Sequence, residues 1–270
     1  MRHLSNILII IQARRGSTRL PDKILLPICG KELLVRMVER VRKSAYGTNV
    51  VVSTTNRKED DIIIEICKRE NINYFRGETF DLLDRHYHTS LFFEADIIAK
   101  IPSDCPLIDP HIINKVFYHF FINYPNYDYV SNLHPPTYPD GNDVEVMKFS
   151  ALESAWRNAK EIYQREHTTP YIWDNPNMFK IGNVLWDSGF DYSMSHRFTI
   201  DYQEDYEFVK KVYEELYCNN LYFDLNDILH LIEFKKPEIK EINKKYLGVN
   251  WYRHYLGNLK TITPEQTRTI

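Results

Sequence analysis

Short apolar segments alternate with amphipathic segments through the first half of the chain, and this alternation constrains the fold most strongly. The apolar segments predict strands at 7–12, 50–54, 73–75 and 96–101. The segments between them repeat apolar residues with helical spacing and predict helices at 33–44, 59–70 and 82–93. A further helix is predicted at 109–120, because Asp109 and Pro110 are typical of a helix start. Strands and helices in alternation indicate an α/β protein with a doubly wound, mostly parallel sheet.

The pattern changes after about residue 123, where proline and tyrosine become frequent. Short strands are predicted at 143–147, 182–185 and 197–201, and helices at 204–217 and 226–234. We expect a single domain over 1–270 with a small inserted mixed subdomain. Its expected parts are a doubly wound half at 1–125, a mixed segment at 126–200, closing helices at 201–250 and a polar tail at 251–270.

The composition argues against several classes of protein. Hydrophobic residues make up 43% of the chain, charged residues 26%, and the net charge is −3, which gives no support for nucleic-acid binding. The N-terminal apolar segment is too short for a signal peptide or a membrane span. The four cysteines form no C-x-x-C pair, which argues against a zinc site or a disulfide framework. We therefore expect a cytoplasmic protein with no nucleic-acid or membrane partner.

The loop after the first predicted strand is strongly basic. Residues 7–23 read ILIIIQARRGSTRLPDK and place four cations in one loop: Arg14, Arg15, Arg19 and Lys23. Ser17, Thr18 and the backbone amides around Gly16 add hydrogen-bond donors. Arginine forks match phosphate oxygens, and open α/β sheets bind ligands at the carboxyl ends of their strands. The loop lacks both common glycine-rich phosphate motifs, so it predicts either an unusual polyphosphate site or a basic surface loop.

Two aspartates follow predicted strands and are expected to face this loop. Asp104 ends the segment IAKIPSD, and Asp201 ends the segment RFTID. Proteins commonly hold Mg²⁺ with one or two carboxylates completed by substrate phosphates and water. An aspartate after a strand is also a common helix N-cap, and for Asp201 alone the residues favour that interpretation.

The order A-R-x-x-S-T-R-L-P-x-K from Ala13 to Lys23 resembles the loop of the CMP-sugar cytidylyltransferases, closest to the spore-coat polysaccharide SpsF-like branch. The family's D-x-P-L-I is matched by the segment that starts at Asp104, and its later aspartate by Asp201. Other motifs typical of the SpsF-like branch are Arg76-Gly77, Leu83-Asp84-Arg85, Tyr138-Pro139-Asp140-Gly141, Asp143-Val144-Glu145 and Arg165-Glu166-His167. The match spans roughly residues 7 to 210.

This resemblance implies a Rossmann-like, GT-A-like nucleotidyltransferase sheet whose first half, 1–125, binds the nucleotide. It implies transfer of CMP from CTP to an acidic sugar or sugar-like acceptor, with release of pyrophosphate, for surface glycan or polysaccharide synthesis. It also implies a homodimer, formed in part by 126–200, and Mg²⁺ bound by Asp104 and Asp201.

The same resemblance distributes the site residues among three roles. The catalytic set is Arg14, Lys23, Asp104 and Asp201. The nucleotide-binding set is Gln12, Ala13, Arg14, Ser17, Arg19, Lys23, Ser53, Thr54, Arg76, Asp84, Arg85 and Ser103. The acceptor-binding set is Asp140, Asp143, Glu145, Glu166 and His167. Plainer alternatives stay open, because Asp84-Arg85 also fits a surface ion pair and Asp140-Gly141 fits a hairpin turn.

Three other classes of protein remain as alternatives. A sugar-1-phosphate nucleotidyltransferase would share the fold, but its first loop is usually richer in glycine. A glycosyltransferase that uses a nucleotide sugar often holds its metal with Asp-x-Asp, which this sequence lacks. A non-catalytic nucleotide-binding module would not need both aspartates together with the basic loop.

Overall fold

The computed structural model describes residues 6–218 and 220–269, and its main sheet has seven strands in the order β5-β4-β1-β6-β8-β7-β9. The strands are β1 (Ile7–Gln12), β2 (Pro27–Ile28), β3 (Lys31–Glu32), β4 (Val50–Thr55), β5 (Asn73–Gly77), β6 (Ile97–Pro102), β7 (Tyr129–Ser131), β8 (Glu145–Lys148) and β9 (Ile181–Asn183). Strands β2 and β3 form a separate antiparallel pair, and within the described main sheet only β8 runs antiparallel to its neighbours, β6 and β7. The predicted doubly wound, mostly parallel sheet is therefore confirmed.

Helices cover the sheet and connect its strands. They are α1 (Leu33–Val41), α2 (Asp61–Arg69), α3 (Leu82–Phe92), α4 (Pro110–Ile122), α5 (Phe149–Asn158), α6 (Ile162–His167), α7 (Pro170–Trp173), α8 (Gln203–Leu216) and α9 (Leu225–His230). The predicted start of α4 is confirmed, because the Asp109 carboxylate accepts a hydrogen bond from the His111 amide at 2.7 Å. The helix predicted at 226–234 continues beyond α9 as a π-helical turn over Leu231–Lys235.

Strand β1 lies inside the sheet, between β4 and β6, and its sequence explains why. Leu8, Ile9, Ile10 and Ile11 are all fully buried. Ile9 and Ile11 belong to one hydrophobic core, and Leu8 and Ile10 belong to a second core on the other side of the sheet. A parallel strand that is covered on both faces is expected to be an unbroken apolar segment. This placement brings the loop after Gln12 to the middle of the carboxyl edge of the sheet.

The strand predicted at 197–201 is wrong. Arg197 forms only an isolated bridge with Asp140. The Phe198 amide donates to the Asp140 carbonyl oxygen, whereas the Ile200 amide donates to the Asp104 carbonyl oxygen. The segment therefore divides its hydrogen bonds between two different loops instead of pairing with one strand. That division holds Asp104, Asp140 and residues 197–201 against one another.

Residues 251–269 do not form the expected polar tail. Tyr252, Leu259 and Ile262 are buried, in the core beside α5, α6 and α7. The Lys260 and Thr261 amides donate to the Asp174 carboxylate at 2.8–3.0 Å and fix the segment to the end of α7. This end of the chain is therefore part of the folded domain.

Two further observations concern the described residues. All four cysteines are free thiols. None of the described helices combines the length and the apolar character that crossing a bilayer requires.

Candidate active site

Two connected depressions lie at the carboxyl edge of the sheet. The larger, which we call the outer cleft, has a volume of about 820 Å³ and is lined by the basic loop. The smaller, which we call the inner cavity, has a volume of about 260 Å³ and is lined by the loop before β8 and by residues 248–252. The residues that line both are Gln12, Arg19, Pro102, Asp104, His167, Asp201 and Trp251.

The cations of the basic loop have two different roles: some stabilise the loop itself, and others face the outer cleft. The Arg15 guanidinium donates to both carboxylate oxygens of Asp22, at 2.7 and 2.9 Å, and the Arg15 amide donates to Asp60. Arg15 therefore fixes the shape of the loop. Arg14 lines the outer cleft, and its guanidinium donates to the Thr79 carbonyl oxygen at 3.3 Å and to no other group in the described part of the chain. Its remaining donors are available to an anionic ligand.

Lys23 occupies the centre of the site, between the two predicted aspartates. Its ammonium donates to Asp104 Oδ2 at 2.9 Å, to Asp201 Oδ1 at 3.1 Å and to the Ile200 carbonyl oxygen at 2.6 Å. Burial lowers the pKa of Lys23, but the Asp104 and Asp201 carboxylates outweigh it and raise that pKa above its ordinary value. Lys23 is therefore a fixed positive charge in the outer cleft, in contact with both aspartates of the wall that the two depressions share.

Backbone contacts bring Asp104 and Asp201 together. The Ile200 amide donates to the Asp104 carbonyl oxygen at 2.8 Å. Asp201 Oδ1 also accepts from Arg19 at 2.5 Å, and Asp201 Oδ2 accepts from Arg197 at 2.9 Å. Burial opposes ionisation, but the charges of Lys23, Arg19 and Arg197 lower the pKa of Asp201 to about 2. Asp201 is therefore a carboxylate at neutral pH.

Arg197 was not predicted as a site residue, yet its hydrogen bonds hold acidic side chains of the site in place. Its guanidinium is buried and donates to Asp140 at 3.0 Å and to Asp201 at 2.9 Å. It also donates to both oxygens of Asp205, at 2.9 and 3.1 Å. Asp205 in turn accepts from the Asp201 amide at 3.0 Å at the start of α8. The signal in the sequence was the spacing of four residues in RFTID and DYQED, which places Arg197 four residues before Asp201 and Asp205 four residues after it.

The inner cavity carries the three predicted acceptor-side carboxylates of the loop before β8 and of β8 itself: Asp140, Asp143 and Glu145. Glu145 accepts from the Lys100 ammonium at 2.5 Å and from the Tyr129 hydroxyl at 2.7 Å. Among the described residues, Asp143 has no cation within ion-pair distance and accepts only from the Gly141 amide at 3.4 Å. Burial, together with the Asp104 and Glu145 carboxylates, raises the pKa of Asp143 to about 6.

His167 and Trp251 form an aromatic boundary between the two depressions. Their rings stack with centroids 3.7 Å apart and planes 12° apart. Burial lowers the pKa of His167 to about 3, so its imidazole is neutral at physiological pH. Glu166 is exposed and lines only the outer cleft. Of the predicted pair, Glu166 therefore lies on the outer cleft, and His167 lies on the boundary between the two depressions.

Four residues that were expected to bind the nucleotide line neither depression. Ser53 is buried and its hydroxyl bonds to the Thr89 hydroxyl at 2.8 Å, and Thr54 is also buried. Arg76 pairs with Asp61 at 2.7 Å. Asp84 accepts from the Trp156 indole at 2.8 Å and so points to α5. Their side chains contact other parts of the protein in this structure, and their role in nucleotide binding stays a prediction.

The other expected nucleotide-binding residues do lie on the outer cleft. They are Gln12, Ala13, Arg14, Ser17, Arg19, Lys23, Arg85 and Ser103. Arg85 is buried and donates to the Glu78 carbonyl oxygen at 2.8 Å. Burial and the nearby charge of Arg14 lower the pKa of Arg85 to about 10. The cleft therefore presents a concentrated positive charge that suits a polyanion.

The carboxylates on the shared wall fit a divalent cation whose remaining ligands come from a substrate. Among the residues described, no group of three or more His, Cys, Asp or Glu side chains is arranged to hold a metal ion by itself. Asp104 and Asp201 already share one cationic group, the Lys23 ammonium, at hydrogen-bond distance. Two carboxylates beside a polyphosphate cleft are a donor set that Mg²⁺ commonly uses.

The sheet order, the cationic loop at its carboxyl edge and the paired aspartates define a nucleotidyltransferase. The profile of the family described as cytidylyltransferase matches residues 8–228. The chain belongs to this family, within the CMP-sugar cytidylyltransferase superfamily and its SpsF-like branch.

Several known proteins are similar to this chain, three of them over most of their length. An uncharacterized protein of Methanocaldococcus jannaschii is 42% identical over 87% of this chain and 93% of its own length. The spore coat polysaccharide biosynthesis protein SpsF of Bacillus subtilis is 33% identical over 78% of this chain and 88% of its own. A solved cytidylyltransferase from Leptospira borgpetersenii superposes with a TM-score of 0.82 at 35% identity, covering 87% of this chain and 97% of that one. A 3-deoxy-manno-octulosonate cytidylyltransferase of Trichlorobacter lovleyi is 33% identical over 43% of this chain and 46% of its own.

Proposed function

We propose that this protein transfers CMP from CTP to a sugar or sugar-like acceptor and releases pyrophosphate. The observation that carries the proposal is the wall between the two depressions, where Lys23 lies between Asp104 and Asp201. A triphosphate in the outer cleft and an acceptor in the inner cavity would meet at this wall. Membership of the cytidylyltransferase family supports CTP over other nucleotides.

The outer cleft would bind and orient the triphosphate. Arg14, Arg19 and Lys23 would hold the phosphates and stabilise the charge of the departing pyrophosphate, since arginine forks pair with phosphate oxygens in two parallel hydrogen bonds. An acceptor oxygen forms a bond to the α-phosphorus while the bond from that phosphorus to the bridging oxygen breaks. Catalysis of this kind depends mainly on positioning and on charges placed in advance.

Asp104 and Asp201 would hold Mg²⁺ together with oxygens of the substrate. When bound, the metal ion supplies positive charge that polarises the phosphate and the acceptor oxygen. The low pKa of Asp201 keeps this ligand ionised, and the backbone contact between Ile200 and Asp104 keeps both carboxylates in place. Arg197 and Asp205 position Asp201 through their hydrogen bonds to it.

The acceptor would be oriented by the inner cavity. Asp143, which has no cationic partner among the described residues, is placed to accept a hydrogen bond from an acceptor hydroxyl. The family resemblance implies an acidic acceptor and a role in surface polysaccharide synthesis. The names of two similar proteins refer to an acid of this kind and to a polysaccharide of this kind. We include the polysaccharide role in the proposal.

A homodimer and a cytoplasmic location complete the proposal. The four free thiols are consistent with a reducing compartment. Size-exclusion chromatography with light scattering tests the dimer, and a monomer at working concentration contradicts it.

Pyrophosphate release tests the proposed reaction. The protein is mixed with CTP, Mg²⁺ and each member of a panel of sugars, polyols and sugar acids, with Asp104→Asn as the matched inactive control. We expect release that requires both CTP and one acceptor, and mass spectrometry of the product should show the added CMP. Equal release by the Asp104→Asn variant would contradict the proposed site.

A further inference from the structure

We infer that Arg253, in the C-terminal segment, binds the carboxylate of an acidic acceptor and so contributes to acceptor specificity. This inference rests on the proposed function and deepens it, because it names a residue that recognises the acid group. The family profile ends at residue 228, so Arg253 lies beyond the part of the chain that the family shares. A specificity residue is expected in such a segment, since CTP is common to the family and the acceptor is not.

The inner cavity does not offer a cation to an acceptor carboxylate. Among the described residues, every lysine and arginine that lines this cavity is already in an ion pair: Lys100 with Glu145, and both Arg19 and Arg197 with Asp201. Burying a carboxylate without a cationic partner is costly. We therefore expect the acid group of the acceptor to lie outside the inner cavity, on the side of the outer cleft.

The chemistry of an ulosonic acid favours the same position. In the ring form of such an acid, the carboxylate and the hydroxyl that attacks the α-phosphorus are bonded to one carbon atom. When that hydroxyl is at the wall that the two depressions share, the carboxylate lies close to the wall as well. The rest of the sugar can then extend into the inner cavity.

Arg253 presents unpaired donors to the outer cleft. Its side chain is partly buried and lines that cleft. Its Nε donates to His254 Nε2 at 3.2 Å, and among the described residues its two terminal nitrogens have no hydrogen-bond or ion-pair partner. Such a guanidinium edge can donate two parallel hydrogen bonds to a carboxylate. The other arginines that line this cleft in the described part of the chain, Arg14, Arg19 and Arg85, belong to the expected nucleotide-binding set.

Residues on both sides of Arg253 contact the pair that was predicted to bind the acceptor. Trp251 stacks on His167 and lines both depressions. The Tyr255 hydroxyl donates to the Glu166 carboxylate at 3.5 Å. These contacts fix the segment that carries Arg253 to the acceptor side of the outer cleft. We therefore assign Arg253 to the acceptor rather than to the triphosphate.

A comparison of each acid with its carboxamide tests this inference. With CTP and Mg²⁺, pyrophosphate release is measured for 3-deoxy-manno-octulosonate, N-acetylneuraminate and a diacetamido nonulosonic acid, each against its carboxamide. We expect at least one acid to be used, with a kcat/KM about 10-fold or more above that of its amide, because the amide cannot form the charge-assisted pair with arginine.

Substitutions of Arg253 show whether it causes this preference. Arg253→Met should raise the KM for the acid by about 10-fold or more, narrow the ratio of kcat/KM between acid and amide, and leave the Kd of CTP unchanged. Arg253→Lys, which keeps the charge and loses the planar fork, should retain part of the preference. Arg157→Met is the matched control, since it removes a cation of α5 outside both depressions and should leave the ratio unchanged.

The outcomes separate this inference from the proposed function, because calorimetry measures CTP binding independently. If Arg253→Met weakens CTP binding and keeps the preference for the acid, Arg253 serves the triphosphate and the inference fails. If CTP binds to the parent protein but no acid is used in preference to its amide, or no acid is used at all, the inference also fails while the proposed CTP site stands. If CTP does not bind to the parent protein, the proposed function itself fails.

Discussion

Replacing Lys23 with methionine tests the shared wall most sharply, because it removes one charge and keeps most of the side-chain volume. The ammonium is the only cation that contacts Asp104 among the described residues, whereas Asp201 retains Arg19 and Arg197. Lys23→Met therefore leaves Asp104 as an uncompensated carboxylate in a partly buried site. We expect the variant to fold with lower stability.

The structure sets the magnitude of this loss. Removing one partner of a fully buried ion pair costs about 3–5 kcal/mol. The Asp104 side chain is 28% exposed and that of Lys23 is 11% exposed, so solvent screens part of the effect and we expect about 2–3 kcal/mol. For a chain of this size, the corresponding decrease in Tm is about 4–12 °C in the presence of EDTA.

Magnesium should reverse this loss, because it replaces the ammonium as the cation between the two aspartates. A ligand at about 100 times its Kd stabilises a folded protein by about 2.7 kcal/mol. We therefore expect saturating Mg²⁺ to raise the Tm of Lys23→Met more than that of the parent protein. Lys100→Met is the matched control, since it removes the ion-pair partner of Glu145, a buried carboxylate that is not assigned to the metal, and should lose stability without a comparable response to Mg²⁺.

Differential scanning fluorimetry with EDTA and with a Mg²⁺ titration measures both effects. A Tm for Lys23→Met equal to that of the parent in EDTA would contradict the electrostatic coupling. Equal Mg²⁺ responses in Lys23→Met and Lys100→Met would refute the assignment of the metal to Asp104 and Asp201.

Three further substitutions probe the parts of the site separately. Asp104→Asn should retain the fold and lose turnover by about 100-fold or more, because charge stabilisation by a bound metal is worth several kcal/mol; normal turnover at saturating Mg²⁺ excludes the role. Arg197→Met should lower the free energy of unfolding by about 3–5 kcal/mol in urea titrations, because Asp140, Asp201 and Asp205 lose a shared partner; a loss below about 1 kcal/mol contradicts this buried network. Asp143→Asn should stabilise the protein at pH 7 by about 1–3 kcal/mol, because a folded-state pKa of about 6 above the ordinary 3.8 means that ionisation of Asp143 opposes folding. That gain should vanish below about pH 4, and a gain that is the same at pH 4 and pH 7 would show that the charge is not its cause.

Four strands of the first half, β1, β4, β5 and β6, were predicted close to their observed bounds. In β1, β4 and β6, burial on both faces leaves an unbroken apolar pattern, whereas β5 lies at the edge of the sheet and has no buried residue. Strand β7 has only three residues in a segment rich in tyrosine and proline, and it was missed. Its existence depends on pairing with β8 and β9 rather than on its own sequence.

The meeting of the basic loop with Asp104 and Asp201 could also be predicted. Asp104 follows a parallel strand, and the ends of parallel strands meet at one edge of the sheet. The resemblance to the family supplied Asp201, whose segment the structure places by hydrogen bonds to two different loops. For Asp104, position along the chain was sufficient, because the end of a strand fixes where the next residues lie.

The direction of side chains away from the strand ends could not be predicted in the same way. Ser53 and Thr54 end a strand at the correct edge, yet both side chains are buried, and Ser53 bonds to α3. Trp251 was hidden in a segment that was expected to be a tail, and only tertiary packing places it against His167. Such contacts join distant parts of the chain, and no local pattern encodes them.

Isothermal titration calorimetry with each of the four nucleoside triphosphates tests the central claim most directly. CTP should bind in the presence of Mg²⁺, bind more weakly in EDTA, and bind about 10-fold or more weakly to Lys23→Met, because a charge-assisted hydrogen bond contributes about 1.5–3 kcal/mol. ATP, GTP and UTP should bind more weakly than CTP. Absence of CTP binding, or equal affinity for all four nucleotides in both proteins, would contradict the assignment of the outer cleft as a CTP site.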